Sequence, residues 1–281
     1  MKLLACIAFN YNIERLVYLR KVLQMQQYLA PVVHTVVTTT TSNTNDLATI
    51  MAIAPKNSER YNFSVQTFEL PNPWLLPWAH KVVMARNIED KSYTHFMYSE
   101  DDIEVSPINI KYWLNARDEL RSYGLYPSFL RVEWNEKLQG WTSTDNWESI
   151  SISKSPVAKI HNSNYHYINL RNPYQAMFFY DRDLMLEHAA SITFDVMKYG
   201  QIENIDKFPG WGGGGVAERA NYAQTFMNVP SGFTSRNAVP FFEKYGAIDP
   251  CCFVHHLPNN YANSLPHLNL GKLLVRDILN P

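Results

Sequence analysis

Three consecutive carboxylates follow an apolar run in the first half of the sequence. The run is Phe96-Met97-Tyr98, and the carboxylates are Glu100, Asp101 and Asp102. Carboxylates packed side by side repel one another, and a divalent cation relieves that repulsion. All-oxygen ligands suit hard ions such as Mg²⁺ or Mn²⁺. We therefore interpret the triplet as a metal site for a bound diphosphate, with a solvated acidic turn as the alternative. In an extended chain, Glu100 and Asp102 face one way and Asp101 the other.

A glycine run near residue 210 is the second feature that could take part in ligand binding or catalysis. Trp211 precedes four glycines (212–215), and Glu218 follows them. Glycine lets the backbone approach a ligand closely. A carboxylate just beyond such a run can act as a general base if it reaches a hydroxyl group. The alternative for Glu218 is a favourable acid in the first turn of a helix.

Two adjacent histidines lie near the C-terminal end. Neighbouring side chains on a strand face opposite ways, so at most one of His255 and His256 reaches a metal. We expect His256 to be that ligand, with His255 as the second choice. A packed structural histidine is the alternative for both.

Strands and helices alternate in the first hundred residues, and this pattern predicts a parallel sheet in which ligands bind at the carboxyl ends of the strands. Asn10, Asp46 and the acidic triplet then come to one edge. The predicted strands are 3–9, 32–41, 63–68 and 94–98, and the predicted helices are 15–29, 44–54 and 78–90.

The second half is less regular, with a loop-rich stretch over 139–172. A helix opens at Ser106-Pro107 with Ile110, Trp113 and Leu114 facing inward. Asp181 is expected to cap a helix that runs to residue 190. The remaining predicted elements are strands 128–134, 174–180 and 251–257 and helices 218–227 and 265–279.

The helix that contains Ala85-Arg86-Asn87, followed by a strand that ends in Glu100-Asp101-Asp102, resembles the core of the GT-A glycosyltransferases. The resemblance implies an α/β fold of three layers around a central, mostly parallel sheet. It implies one domain over 1–281, with a nucleotide-sugar-binding half (1–105) and an acceptor-binding half (106–281).

The resemblance also implies roles for individual residues around a nucleotide-sugar donor. Arg86 would lie near the donor, the alternative being a surface ion pair with Glu89 or Asp90. The other implied roles are ribose contact for Glu100, metal binding for Asp102 with His256 or His255, assistance to either by Asp101, and base or ribose contact for Asn10 and Asp46.

The Trp-Gly-Gly stretch that leads to Glu218 is similar to the acceptor region of inverting galactosyltransferase-like enzymes. This similarity implies that Glu218 deprotonates a hydroxyl of a carbohydrate or glycoconjugate acceptor, with inversion at the sugar carbon. A retaining outcome stays open. UDP as the nucleotide, Mn²⁺ or Mg²⁺ as the cofactor and a role in polysaccharide assembly are implied in the same way.

Composition and charge argue against several other classes of protein. The net charge of −1 over 281 residues gives no basic excess for nucleic acid, and no apolar run approaches the 18 residues of a transmembrane helix. Three cysteines without a pairing pattern favour a reducing, cytoplasmic setting. Two alternatives stay open: a sugar nucleotidyltransferase, although its glycine-rich loop after the first strand is missing at 10–15, and a non-catalytic carbohydrate-binding protein.

Overall fold

The computed structural model describes residues 1–195, 215–265 and 269–280. Most of the glycine run, including Trp211, therefore lies outside the described residues. The helices are α1 (Leu16–Gln26), α2 (Thr44–Ile53), α3 (Ala79–Asn87), α4 (Pro107–Arg121), α5 (Arg182–Ala189), α6 (Val216–Tyr222) and α7 (Asn260–Asn263). The strands are β1 (Lys2–Ala8), β2 (Val32–Thr39), β3 (Tyr61–Thr67), β4 (His95–Glu100), β5 (Ile103–Glu104), β6 (Tyr126–Pro127), β7 (Leu130–Asn135), β8 (Gly140–Ser143), β9 (Ile150–Ser151), β10 (Val157–Ala158), β11 (Tyr165–Ile168), β12 (Met177–Asp181), β13 (Asn237–Phe242), β14 (Ala247–Ile248), β15 (Phe253–His256), β16 (Leu273–Leu274) and β17 (Leu279–Asn280).

The chain divides into two compact units. The first contains Met1–Pro107 and Ala176–Gln224, and the second contains Ile108–Gln175 and Thr225–Pro281. The boundary expected between residues 105 and 106 lies close to the first of these divisions. The segment 176–224, however, belongs with the N-terminal residues.

The first unit is built on a five-stranded sheet in the order β12-β4-β1-β2-β3. β1 pairs in parallel with β2 and β4, β2 pairs in parallel with β3, and β12 runs antiparallel to β4. Right-handed crossovers put α1 and α2 on one face of this sheet and α3 on the other, because the chain steps from β1 to β3 and then returns to the far side of β1. The predicted α/β class with a central, mostly parallel sheet is confirmed.

The central position of β1 in the sheet explains the continuous apolar run near the N-terminus. β1 is the central strand, so both its faces are covered, and every side chain from Leu3 to Ile7 is fully buried. The strand order reverses between β1 and β4. The carboxyl ends of these two strands flank the crevice in which open α/β sheets bind ligands.

The second unit is built mostly from shorter strands and contains the longest helix of the described residues. β7 pairs antiparallel with β8 and parallel with β15, while β11 and β13 form an antiparallel pair. Short strands β8 to β11 occupy the stretch expected to be loop-rich. Across the described ranges, no helix combines the length and the apolar character needed to cross a bilayer.

Two sequence predictions in this unit are wrong in detail. Ile110 and Trp113 are buried as expected, but Leu114 is exposed because it lies about 100° around the helix from Trp113. The predicted C-terminal helix is replaced, in its described part, by β16, a 3-10 turn and β17. Gly271 explains the break. Its φ is +67°, and a Cβ there would come within 2.6 Å of the Tyr261 backbone.

Candidate functional site

The acidic triplet lies at the predicted edge of the sheet in the first unit. β4 ends at Glu100, and Asp101 and Asp102 form a turn before β5 begins. Both aspartates are buried, with 5% and 3% of their surface exposed. Asp101 and Asp102 are therefore not solvated, whereas Glu100 is half-buried.

Arg15 holds both aspartates. Its Nε and Nη2 atoms donate to Asp101 at 2.9 and 2.7 Å, and Nη2 also donates to Asp102 at 2.8 Å. Arg15 ends a short 3-10 turn that Asn12 caps just beyond β1. The expectation that Asp101 and Asp102 face opposite ways is wrong, because the strand has already ended and a turn does not alternate.

The electrostatics of this turn reflect burial and crowding. Burial raises the pKa of Asp101 to about 6; Asp102 adds to this rise, and Arg15 opposes it. Two carboxylates this close need a compensating positive charge, and a bidentate guanidinium is the geometry that supplies it best. In this arrangement the chain provides its own cation.

The described residues do not form a metal site as they stand. Carboxylate oxygens suit Mg²⁺ or Mn²⁺, but Arg15 occupies both oxygens of Asp101 and one oxygen of Asp102. Within the part of the chain that the structure describes, no three His, Cys, Asp or Glu side chains are grouped so as to hold a metal ion. A cation would first have to compete with Arg15.

Asn10 and Asp46 lie on the neighbouring strand ends. The Asn10 side-chain oxygen accepts a hydrogen bond from the hydroxyl of Thr40, and Asp46 accepts one from Thr41. These bonds tie the segments that follow β1 and β2 to the carboxyl edge of the sheet. Asn10 remains exposed there, and Asp46 lies in the first turn of α2.

Helix α6 brings Glu218 towards the acidic turn. The Asn221 side-chain amide donates to Glu100 Oε1 at 3.1 Å. Glu218 lies three residues earlier, on the same face of α6 and about 5–6 Å away between Cβ atoms. Its carboxylate folds back over Gly215, where a Cβ would come within 2.6 Å of Oε2. The helix begins two residues before the predicted start and ends at Tyr222, because Ala223 takes a positive φ of 44°.

The structure does not bring Arg86 to this edge. Arg86 is exposed in the last turn of α3. The segment that follows it lies beside the start of β1, since Asp90 is 3.6 Å from the Lys2 ammonium group. The alternative for Arg86, an ion pair with Glu89 or Asp90, is not formed among the described residues.

His255 and His256 lie in the second unit, on opposite faces of β15. The His256 Nδ1 atom is 2.5 Å from Glu133, which also accepts from the Ala262 backbone N–H. His255 contacts Asn259 at 3.0 Å. A carboxylate on one ring nitrogen is common to metal-bound and to purely structural histidines, so metal binding by either residue stays a prediction.

Sequence reasoning missed Arg15 and Asn221. A basic residue five positions beyond Asn10, after the first strand, is the only signal that pointed to Arg15. Asn221 gave none.

No known protein-family model matches the sequence, and no curated protein matches it. Among solved structures, the chain is similar to the crystal structure of residues 1–349 of TarS, a glycosyltransferase from S. aureus, with a TM-score of 0.40 and 11% identity. The match covers 93% of this chain and 62% of that one, so this chain spans less than two thirds of the length of TarS that was solved. At this TM-score the similarity carries no argument about function.

Proposed function

We propose that this chain is a glycosyltransferase that transfers a sugar from a nucleotide donor, with UDP as the nucleotide, to a hydroxyl group of a carbohydrate or glycoconjugate. The observation that carries the proposal is the buried acidic turn at residues 100–102. This turn lies where the strand order reverses between β1 and β4. Asn221 contacts Glu100 of the turn, and Glu218 lies one helical turn before Asn221.

Each residue at this edge has a role in the proposal. Asn10 and Asp46 bind the base and the ribose, since they lie beside the crevice where α/β sheets hold nucleotides. Glu100 contacts the ribose, and its orientation is fixed by Asn221. Arg15 is one-third exposed, and it can contact a diphosphate oxygen while it holds Asp101.

Glu218 is proposed as the general base. It would take the proton of the acceptor hydroxyl as that oxygen attacks the sugar carbon from the face opposite the diphosphate, which inverts the anomeric centre. Arg86 lies away from this edge and has no role in the proposal, and metal binding by His255 or His256 stays a prediction. A Mn²⁺ or Mg²⁺ ion, when bound, would neutralise the leaving diphosphate.

Calorimetric titration with UDP, with and without Mn²⁺, tests this proposal on the wild type and on Asp102→Asn. The variant keeps the shape of the side chain and removes its charge. Asp118→Asn is the matched control, since Asp118 is an exposed acid on α4 of the second unit. We expect UDP to bind the wild type and the control, and to bind Asp102→Asn at least tenfold more weakly.

The outcomes separate the alternatives. Absence of a binding signal with UDP, GDP, CDP and dTDP would contradict the glycosyltransferase proposal and favour the carbohydrate-binding protein. Binding of a nucleoside triphosphate together with a sugar 1-phosphate, followed by release of pyrophosphate, would favour the nucleotidyltransferase. Equal UDP binding with and without Mn²⁺ would mean that the donor site needs no metal ion. Arg15 would then be the cation at the diphosphate.

A further inference from the structure

A groove in the second unit lies apart from the residues discussed so far. It has a volume of about 300 Å³, which is at the lower end of the range for small-ligand pockets. One wall is the outer face of α4 and the other is β11. Cys251, from a 3-10 turn before β15, contributes to the lining.

The helical wall carries polar groups at regular intervals. Ile108, Lys111, Asn115 and Glu119 lie on one face of α4 at steps of three or four residues. Ala116 lies between them, and its small side chain leaves room beside the helix. Lys111 and Glu119 are eight residues apart, or about 12 Å along the helix axis. The groove is therefore elongated and has one opposite charge near each end.

The opposite wall is aromatic. Tyr165 and Tyr167 alternate onto the same side of β11, and Tyr112 closes the floor from α4. Tyr167 donates its hydroxyl hydrogen to Glu119 at 2.6 Å, and Tyr112 donates to the Ser128 carbonyl at 3.1 Å. These bonds fix the two buried rings. Tyr165 is half-buried and offers part of its ring to the groove.

The chemistry of the two walls restricts the class of ligand that the groove can bind. A tyrosine ring packs against the apolar C–H face of a sugar, and an amide and a carboxylate bind its hydroxyl groups. In the described ranges, neither the Lys111 ammonium group nor the Asn115 amide forms a hydrogen bond or ion pair with another side chain. The two formal charges of the groove cancel, which disfavours a phosphate or a nucleic acid. A single amino acid is shorter than the distance between Lys111 and Glu119.

We propose that this groove is a carbohydrate-binding site that takes a short neutral oligosaccharide, with Tyr165 against a sugar ring and Asn115 and Glu119 on its hydroxyl groups. The site does not depend on the proposed transfer reaction. It is built from residues 108–119, 165–167 and 251 of the second unit alone, whereas the acidic turn lies in the first.

Saturation-transfer NMR on the full chain tests the site, with maltose, cellobiose and lactose as probes. We expect saturation of the sugar C–H protons with the wild type and a drop of at least fivefold with Tyr165→Ala. Tyr245→Ala is the matched control, because Tyr245 is a 69% exposed tyrosine of the same unit outside the groove. Asn115→Ala is a second variant on an exposed helix face and keeps the test valid if Tyr165→Ala does not fold.

Cys251 provides an independent readout. Cys6 and Cys252 are fully buried, whereas Cys251 lines the groove and is partly exposed. Burial raises the pKa of its thiol to about 12, so alkylation is slow and protection can be followed over time. The bound sugar should slow the alkylation of Cys251 by at least threefold.

Absence of saturation transfer from the wild type with all three sugars overturns the proposal, and so does equal transfer in Tyr165→Ala and Tyr245→Ala. UDP titration of Tyr165→Ala separates this result from the proposed function, because that variant should bind UDP as the wild type does. A loss of disaccharide binding in Asp102→Asn would also overturn the proposal, since it would mean that the sugar binds elsewhere.

Discussion

At the level of single residues, the interaction that matters most at the candidate site joins Arg15 to Asp101 and Asp102. The carboxylates are buried, and one guanidinium supplies three hydrogen bonds to them. Breaking a buried ion pair from one side is costly because the remaining charge stays buried without compensation. Arg15 is therefore a structural element as well as a candidate ligand contact.

Replacing Arg15 by methionine should lower the free energy of unfolding by about 3 kcal/mol, because two adjacent buried carboxylates lose their counter-charge. Urea denaturation with and without Mn²⁺ measures this. If a cation competes for the same oxygens, Mn²⁺ should stabilise Arg15→Met more than the wild type. Arg20→Met, at an exposed position on α1, is the matched control. Equal stability of Arg15→Met and the control contradicts the compensating role.

At the level of elements, the acidic turn and α6 depend on each other. β4 delivers Glu100 to the carboxyl edge of the sheet, and the helix that follows the glycine run holds it through Asn221. Trp78 donates its indole hydrogen to the Val216 carbonyl at 2.8 Å and fixes the start of the same helix. The position of Glu218 is thus set by contacts at both ends of α6.

Asn221→Asp should destabilise the protein by about 1–3 kcal/mol, since it replaces a hydrogen-bond donor to Glu100 with a second carboxylate beside it. The effect should shrink when the unfolding is repeated near pH 4, because protonation of the new acid removes its charge. Asn45→Asp is the control, because it adds the same charge at an exposed first-turn position of α2. Similar losses in both variants would show that charge alone, and not the Glu100 contact, is responsible.

At the level of the whole molecule, the first unit encloses ionisable groups that must stay neutral. His80 and His188 are fully buried among aromatic rings, and His80 lies 4.1 Å from the ring centre of Tyr98. Burial lowers the pKa of both histidines well below its ordinary value, and the nearby Lys81 lowers it further. In the folded state they bind a proton less readily than in the unfolded state.

The sign of the resulting pH dependence follows from linkage. Between the ordinary histidine pKa of about 6.5 and the depressed folded values, the unfolded chain binds more protons at these two histidines, so their contribution to stability falls as the pH falls. Asp101, with its pKa raised to about 6, contributes with the opposite sign. Each histidine should contribute up to about 1.4 kcal/mol per pH unit below pH 6.5. Urea midpoints from pH 7 to 5 measure this slope.

His188→Gln should have a shallower pH slope than the wild type, whatever its absolute stability. His161→Gln, which alters an exposed histidine, should leave the slope unchanged. A His188→Gln slope equal to the wild-type slope would contradict a neutral, buried His188.

The sequence by itself determined the strands, helices and caps that depend only on residues adjacent in the chain. The apolar run of β1, the β-branched residues of β2 and the Asp181 cap of α5 are local signals, and each element formed close to its predicted bounds. The alternation of these elements is enough to predict a parallel sheet and to place Glu100, Asp101 and Asp102 at its carboxyl edge.

Tertiary structure decided the contacts that make a site of this edge. Arg15 meets Asp101 across 86 positions, Asn221 meets Glu100 across 121, and Tyr167 meets Glu119 across 48. None of these pairs leaves a periodic trace in the sequence, because each depends on which crossover returns the chain to which strand. The same reason places 176–224 with the N-terminal unit. Periodicity is a property of neighbours along the chain, whereas charge compensation and grooves arise between segments that only folding brings together.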